Sequence, residues 1–188
     1  STADGAVGAP PVIVYSPPVA AILPAFDGRA TFALQASPRG TGDAVLAFRL
    51  TTGELVWSNQ LTPNDVFVVG CNQPNAANCG DNVGPDFDFG NPPMLVSLPN
   101  GRDAIVIGQK SGVGFALDPD RRGEVIWQYR ASAGSALGGM EFGSAADRER
   151  AYFPVAEGNG SHAGEMHAVN LTTGERAWLA LPRPVLCG

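Results

Sequence analysis

The chain is short of charge, and of positive charge above all. Of its 188 residues 16% are charged, with 12 Lys and Arg against 18 Asp and Glu, and the net charge is −6. Lys110 is its one lysine. Because no basic stripe is present to displace counterions from phosphates or to attract an anionic bilayer, the composition argues against a nucleic-acid-binding or membrane-surface protein.

Long hydrophobic runs and helical patterns are also missing. The most apolar segment, residues 17–26, is interrupted by Pro24 and is far shorter than the roughly 20 residues that span a bilayer. No basic segment precedes it, so we expect neither a membrane span nor a signal peptide within this sequence. Instead, 24 Gly and 16 Pro without a fixed period predict many turns between short strands.

Cysteine is scarce, and the three that occur are an odd number. Cys71 and Cys79 lie eight residues apart in a loop rich in Asn, Gly and Pro, where they can close a local disulfide in an oxidising compartment. Zinc binding is the alternative, but the spacing departs from the C-x₂₋₄-C form and no histidine is near in sequence. We favour the Cys71–Cys79 disulfide, which leaves Cys187 free or paired with a partner outside this chain.

One unit occurs three times along the chain. Its copies read AVLAFRLTTGELVW, GVGFALDPDRRGEVIW and GEMHAVNLTTGERAW, at residues 44–57, 112–127 and 164–178. Each copy has Ala, then a Gly-Glu pair, then Trp, and the glycine lies four residues before the tryptophan. Alternating apolar residues before a turn that ends in Gly predict a two-stranded hairpin with the glycine at positive φ.

A repeated hairpin points to sheets stacked side by side. A two-stranded unit cannot bury its apolar face alone, and a tryptophan at a fixed offset would pack between neighbours. We therefore predict an all-β chain that forms a partial β-propeller of three to four four-stranded antiparallel blades with tryptophan-docking motifs. Further blades or another copy would close the ring.

The predicted blades belong to a single domain. They cover about residues 10–61, 94–130 and 140–181, and a long Cys-bearing loop covers residues 62–93. Within the first blade, Asp27 and Gly28 predict a turn that joins neighbouring strands as a hairpin. The third blade is expected to begin with a strand at residues 140–145.

The tryptophan repeat resembles the docking motif of the quinoprotein alcohol dehydrogenases, propellers that bind pyrroloquinoline quinone (PQQ). Other segments come in the family's order: DAVLAF, QLTPND, GPDFDFG, GQKSG and LGGMEFG, which begin at residues 43, 60, 84, 108 and 137. The cysteine-bearing insertion resembles the polyvinyl-alcohol dehydrogenase branch. The resemblance covers residues 43–188 and implies PQQ and calcium as cofactors, an alcohol or alcohol polymer as substrate, and cytochrome c as electron acceptor.

Two residues match the family's cofactor-binding positions. Lys110 matches the basic residue that reaches the quinone carbonyls, where a fixed cation would polarise the quinone for hydride attack; a solvated turn lysine is the alternative. Glu141 stands where the family's G-G-x-N-W segment places a polar contact to the cofactor, with Glu in place of Asn and Phe142 in place of Trp.

The resemblance also shows what is missing. The family's catalytic aspartate precedes the DAVLAF strand, but residues 35–42 contain no carboxylate, so we assign no catalytic residue. Asp86 and Asp88 form a D-x-D pair that can ligate calcium, yet a structural loop in which Phe87 and Phe89 pack explains them more simply. No metal ligand is therefore assigned.

Together these observations favour a periplasmic or secreted fragment of a PQQ-dependent alcohol dehydrogenase, in which hydride passes from alcohol to quinone. The alternative is a non-catalytic propeller scaffold that binds protein partners, as in outer-membrane assembly. The missing aspartate favours the scaffold, whereas the Lys110 segment and the Cys loop favour the dehydrogenase.

Overall fold

The computed structural model describes the chain in parts. It places the backbone of three strands within residues 12–34, and both backbone and side chains of residues 43–49, 51–65, 67, 71, 84–156 and 164–182. Cys79, Cys187 and His162 lie outside these ranges. None of the described residues forms a helix long and apolar enough to cross a membrane.

The described residues form strands and one turn of 3₁₀ helix (Pro119–Arg121). In chain order the strands are β1 (Val12–Ser16), β2 (Val19–Leu23), β3 (Arg29–Leu34), β4 (Ala44–Arg49), β5 (Leu55–Gln60), β6 (Met94–Ser97), β7 (Asp103–Gly108), β8 (Val113–Asp118), β9 (Glu124–Arg130), β10 (Ala145–Ala146), β11 (Arg150–Val155), β12 (Glu165–Asn170) and β13 (Arg176–Ala180).

Three antiparallel sheets follow one another along the chain. The first blade has strand order β3-β4-β5, the second β6-β7-β8-β9 and the third β10-β11-β12-β13. Within each blade every strand pairs with its neighbour in sequence, so each blade is a simple meander. The prediction of an all-β propeller with antiparallel blades is confirmed: the second and third blades have the predicted four strands, and the first has three among the described residues.

The N-terminal strands pair differently from the prediction. β1 pairs with β2, with Ser16 opposite Val19, whereas β3 pairs with β4. The predicted hairpin at Asp27 and Gly28 is therefore wrong. β3 (RATFAL) pairs with β4 (AVLAFR) at six positions. This six-residue ladder places β3 in the first blade.

The third blade also begins differently. The predicted strand at residues 140–145 shrinks to two residues, Ala145 and Ala146, and an isolated bridge joins Gly139 to Ala156. Gly139 and Gly143 have φ of 71° and 110°, which interrupts an extended backbone. Met140 is fully buried instead, as part of the apolar core.

The three repeats share one local geometry. In each, Ala pairs directly with Trp across the hairpin: Ala47 with Trp57, Ala116 with Trp127 and Ala168 with Trp178. A register shift follows each of these alanines. The turn glycines have φ of 71°, 74° and 73°, which confirms the predicted positive φ.

The first two tryptophans connect neighbouring blades. Trp57 Nε1 donates to the Pro119 carbonyl at 3.2 Å, and a Cβ on Gly123 would lie 2.6 Å from the Trp57 ring. Trp127 Nε1 donates to the Leu171 carbonyl at 2.8 Å, and a Cβ on Gly174 would lie 2.7 Å from Trp127 Cγ. Each indole therefore packs on the repeat of the following blade.

Two apolar clusters fill the spaces between blades. One contains Trp57, Phe115 and Leu117 from the first and second blades, and the other contains Trp127 and Phe153 from the second and third. β8 is buried along its whole length because both of its faces are covered. Trp178 is 41% exposed, so within the described residues it is not enclosed as Trp57 and Trp127 are.

Candidate functional site

Lys110 lies in a buried ion pair with two aspartates. Its side chain is 9% exposed, and Nζ lies 3.0 Å from Asp88 Oδ2 and 3.2 Å from Asp86 Oδ2. Burial by itself lowers the pKa of Lys110, but the hydrogen bond and charge of Asp88, and then those of Asp86, raise it above its usual value. The lysine is a fixed internal cation, and the alternative of a solvated turn lysine is wrong.

The backbone holds Lys110 in place as firmly as its side chain does. Its N–H donates to the Asp88 carbonyl at 3.1 Å, and its carbonyl accepts a 3.1 Å bond from Ser135 N–H. A Cβ on Gly139 would lie 2.1 Å from the Lys110 carbonyl oxygen. Only glycine permits that approach, so the glycine-rich connection before the third blade serves to seat Lys110.

Asp86 adopts an uncommon backbone conformation beside the lysine. Its φ is 64°, and Asp65 holds it there by accepting hydrogen bonds from the N–H groups of Asp86 (3.2 Å) and Phe87 (2.7 Å). Burial, followed by the hydrogen bond and charge of Asp88, raises the pKa of Asp86 to about 6 against the opposing effect of Lys110. Asp86 is therefore harder to ionise than an exposed aspartate.

Asp43 is the most deeply buried acid of the cluster. It is 0% exposed, its φ is 48°, and neither carboxyl oxygen has a hydrogen-bond partner within the described residues. Burial, followed by the charges of Asp65 and Asp88, raises the pKa of Asp43 to about 8. Left-handed backbone in a non-glycine residue is uncommon and occurs preferentially at functional sites.

These residues come from four separate stretches that meet between the first and second blades. Asp43 precedes β4, Asp65 follows β5, Asp86 and Asp88 lie before β6, and Lys110 lies between β7 and β8. Asp86 and Asp88 pair with the Lys110 ammonium group, Asp65 holds the backbone of residues 86–87, and Asp43 interacts electrostatically with the three other acids. We name this set the Asp–Lys cluster.

Known proteins with similar sequences are dehydrogenases. The chain is 46% identical over 144 residues to polyvinylalcohol dehydrogenase from Pseudomonas sp. and 39% identical over 153 residues to polyvinylalcohol dehydrogenase from Sphingopyxis sp. (strain 113P3). The matches cover 76% and 78% of this chain but 22% and 23% of those proteins. The chain therefore spans less than a quarter of the length of these relatives. No protein-family model matches it.

The fold agrees with the sequence matches. Quinohemoprotein alcohol dehydrogenase from Comamonas testosteroni superposes with a TM-score of 0.56 at 17% identity, over 86% of this chain and 20% of that one. The chain belongs to the quinoprotein alcohol dehydrogenase propeller family. The family resemblance carried by the tryptophan repeat is thereby confirmed.

The second cofactor residue predicted from the family lies near the Asp–Lys cluster but apart from Lys110. Glu141 is half-buried and packs on Gly90, where an added Cβ would lie 2.8 Å from Glu141 Cγ. Phe142, in place of the family's tryptophan, is 79% exposed. Lys110 and Glu141 thus border the same loop from different positions, and their contact with a cofactor stays a prediction.

Metal binding finds no support in this family member's described side chains. They include no group of three or more His, Cys, Asp or Glu placed to hold a metal ion. Phe89 is buried and packs edge-on against Phe115 at 6.4 Å, as expected for a structural loop. A second acidic pair, Asp118 and Asp120, lies in the DPDRRG turn at residues 118–123. The Asp118 carboxylate accepts hydrogen bonds from the N–H groups of Asp120 and Arg121, so it stabilises the turn.

The cysteine prediction is only partly covered by the described residues. Cys71 is disulfide-bonded, but its partner lies outside those residues. The Cys71–Cys79 pairing therefore stays a prediction.

Sequence reasoning missed Asp43 and Asp65 as members of the site. Asp43 directly precedes a buried apolar strand, and Asp65 follows Asn64 at φ of 65°. Aspartate or asparagine beside a buried strand, in a stretch that needs left-handed backbone, is a signal that could have pointed to them. Their position beside Asp86 and Asp88 depends on blade packing, which the sequence pattern does not specify.

Proposed function

We propose that this chain is part of a PQQ-dependent alcohol dehydrogenase that acts on polyvinyl alcohol or similar secondary alcohols. The observation that carries the proposal is the buried Lys110, held between Asp86 and Asp88 on a propeller framework. Sequence similarity to two polyvinylalcohol dehydrogenases supports the substrate class. Because the chain matches less than a quarter of those proteins, further blades would complete the ring.

The residues present fit a quinone but not a metal ion. PQQ carries quinone oxygens and carboxylates, and a buried ammonium with a fixed position is a suitable partner for either. Calcium does not fit the Asp–Lys cluster as it stands, because the described side chains are not arranged as a metal site. No step is derived through calcium.

The reaction needs a cation beside the oxidant and a base for the alcohol proton. PQQ, when bound, supplies the oxidant that takes up hydride from the alcohol carbon. Lys110 would contribute a fixed positive charge where negative charge develops on a quinone oxygen. Asp86, with a pKa raised to about 6, would accept the hydroxyl proton, since a base works best when its pKa lies near the working pH.

Location and partners follow from the same proposal. A Cys71–Cys79 disulfide would suit a periplasmic or secreted protein. Electrons would leave to a cytochrome c. Glu141 would contribute a further polar contact to the cofactor from the other side of the loop.

Binding and turnover test the proposal separately. PQQ binding to the 188-residue chain is measured by quenching of tryptophan fluorescence, and turnover by dye reduction with polyvinyl alcohol. We expect Lys110→Met to weaken PQQ binding roughly tenfold or more, because the variant loses one charge-assisted hydrogen bond to the cofactor. Arg148→Gln, which removes an exposed positive charge, is the matched control and should bind PQQ like the parent.

Two results would contradict the proposal. If Lys110→Met and Arg148→Gln bind PQQ equally well, Lys110 is not the cofactor contact. If the parent chain binds no PQQ at saturating concentration, the non-catalytic scaffold becomes the better interpretation.

A further inference from the structure

A buried glutamine stands next to Lys110 in the chain. Gln109 is 1% exposed, and its side-chain amide contacts two hydroxyl groups. Ser111 Oγ donates to Gln109 Oε1 at 2.6 Å, and Gln109 Nε2 donates to Thr62 Oγ1 at 2.9 Å. Because a buried amide without hydrogen bonds is costly, these two hydroxyl groups determine where the amide lies.

The two hydroxyl groups come from different parts of the fold. Ser111 belongs to the same turn as Gln109, so its contact is local. Thr62 follows β5 of the first blade and is 47 residues away from Gln109 along the chain. Thr62 Oγ1 also lies 3.1 Å from Gln109 Oε1, so it contacts both ends of the amide. Through Thr62, the Gln109 side chain links the second blade to the first.

The backbone of Gln109 belongs to a closed turn. Its N–H donates to the Val113 carbonyl at 3.1 Å, and its carbonyl accepts the N–H groups of Gly112 at 3.0 Å and Met140 at 3.1 Å. These bonds leave the turn little freedom to rearrange internally. A displacement of Gln109 therefore displaces Lys110, its neighbour in the chain, as well.

The segment after β5 contacts both partners of the ion pair. Thr62 contacts the lysine side through Gln109. Asp65, three residues further along the segment, accepts a 3.2 Å hydrogen bond from the N–H of Asp86, which pairs with Lys110. A single short segment of the first blade thus holds the cation and one of its two acids in register.

We propose that Thr62 and Gln109 are positioning residues for Lys110. Their hydrogen bond fixes the turn against the first blade, so that the ammonium group stays between Asp86 and Asp88. The inference rests on the proposed function only where it concerns contact with a quinone. The position of Lys110 itself can be measured without cofactor or substrate.

Nitrogen-15 NMR measures that position, because the one lysine of the chain gives a single side-chain ammonium signal. Thr62→Val keeps the shape of threonine but removes the acceptor of the Gln109 Nε2 hydrogen bond. We expect the ammonium protons of this variant to exchange with water roughly fivefold faster or more, the effect of leaving one buried donor unpaired. Thr62→Ser keeps a hydroxyl group and should exchange like the parent.

Two control variants separate this effect from other causes. Thr52→Val removes the same hydroxyl group at an exposed position and should leave the exchange rate unchanged. Gly174→Ala forces a Cβ against Trp127 and shows how much faster exchange becomes when the fold is destabilised elsewhere. The inference is overturned if Thr62→Val exchanges no faster than Thr62→Ser, or no faster than Gly174→Ala at equal loss of stability.

The parent chain itself provides the test if Thr62→Val does not fold. The side-chain amide protons of Gln109 should exchange slowly and show a nuclear Overhauser effect to the methyl group of Thr62. Gln128, which is exposed, supplies the reference for a free amide. If the Gln109 amide protons exchange as fast as those of Gln128, the buried hydrogen bond is absent and the inference fails.

PQQ binding connects the position of Lys110 to the proposed function. We expect Thr62→Val to bind PQQ roughly fivefold more weakly than the parent, and Thr62→Ser to bind it equally well. Equal binding by Thr62→Val and the parent would overturn the link between Thr62 and the cofactor. If the NMR results hold but the parent binds no PQQ, the proposed function fails while the positioning of Lys110 stands.

Discussion

The indole nitrogen of Trp127 donates a 2.8 Å hydrogen bond to the carbonyl of Leu171, which belongs to the next blade. Trp57 makes the equivalent bond to Pro119 one blade earlier. Since each indole also packs on a turn glycine of that next blade, the stability of one repeat depends on the presence of the following repeat.

A pair of glycine substitutions separates backbone strain from loss of blade contact. Gly53 and Gly123 have φ of 71° and 74°, but an added Cβ meets nothing within 4 Å at Gly53 and lies 2.6 Å from the Trp57 ring at Gly123. We expect Gly53→Ala to cost about 1 kcal/mol and Gly123→Ala about 1–3 kcal/mol more, because Trp57 must move. Urea unfolding of both variants measures the difference. Equal losses would mean that Trp57 does not depend on Gly123.

The tryptophans should differ in their contribution to stability. Trp127 is 7% exposed and Trp178 is 41% exposed. We expect Trp127→Ala to cost about 3–5 kcal/mol, as for other buried aromatic residues, and Trp178→Ala about 1 kcal/mol. The free energy of unfolding of each variant provides the test. A larger loss for Trp178 would indicate that it is enclosed in solution.

Loss of the buried cation should destabilise the fold in a pH-dependent way. Lys110→Met leaves Asp86 and Asp88 buried without a counter-charge, which we expect to cost about 3–5 kcal/mol at neutral pH. The cost should shrink as the pH falls through about 6, because Asp86, whose pKa is raised to that value, takes up a proton there. Denaturant unfolding at neutral and acidic pH measures both effects.

Arg121→Met is the matched control for the lysine variant. Arg121 is 65% exposed and lies 3.7 Å from Asp118, so its loss should cost at most about 1 kcal/mol. A similar, pH-independent loss in both variants would show that the Lys110 ion pair contributes no more than a surface pair.

Activity of the chain with PQQ, if the proposed function holds, should depend on the ionisation of Asp86. The base must be deprotonated to accept the alcohol proton, so the rate should rise with pH through about 6. Asp86→Asn should lower turnover at least a hundredfold, the usual size of a general-base contribution of roughly 10²–10⁴. Glu149→Gln, at an exposed position, should leave the profile unchanged. If the rate does not change with pH around 6, Asp86 is not the base.

Much of the fold could be predicted because the determining signals are local. The turn glycines, the alternating strands and the tryptophan offset are all set within about 16 residues of sequence. The strand predictions failed where local sequence signals compete with strand pairing to more distant segments or with turn glycines. β3 pairs with β4 rather than joining β2 as a hairpin, and the glycines near Met140 break a strand that apolar residues alone would suggest.

The amino-acid sequence by itself determined the repeating hairpin, its docking tryptophans and the family, because these depend on residue type at short, regular spacings. Only the tertiary structure decided that Lys110 is buried against Asp86 and Asp88 and that Asp65 and Asp43 lie beside these two aspartates. Those side chains come from stretches up to 67 residues apart along the chain, between Asp43 and Lys110. Their charges and pKa values depend on how the first blade packs against the second, since burial and neighbouring charge act through space rather than along the sequence.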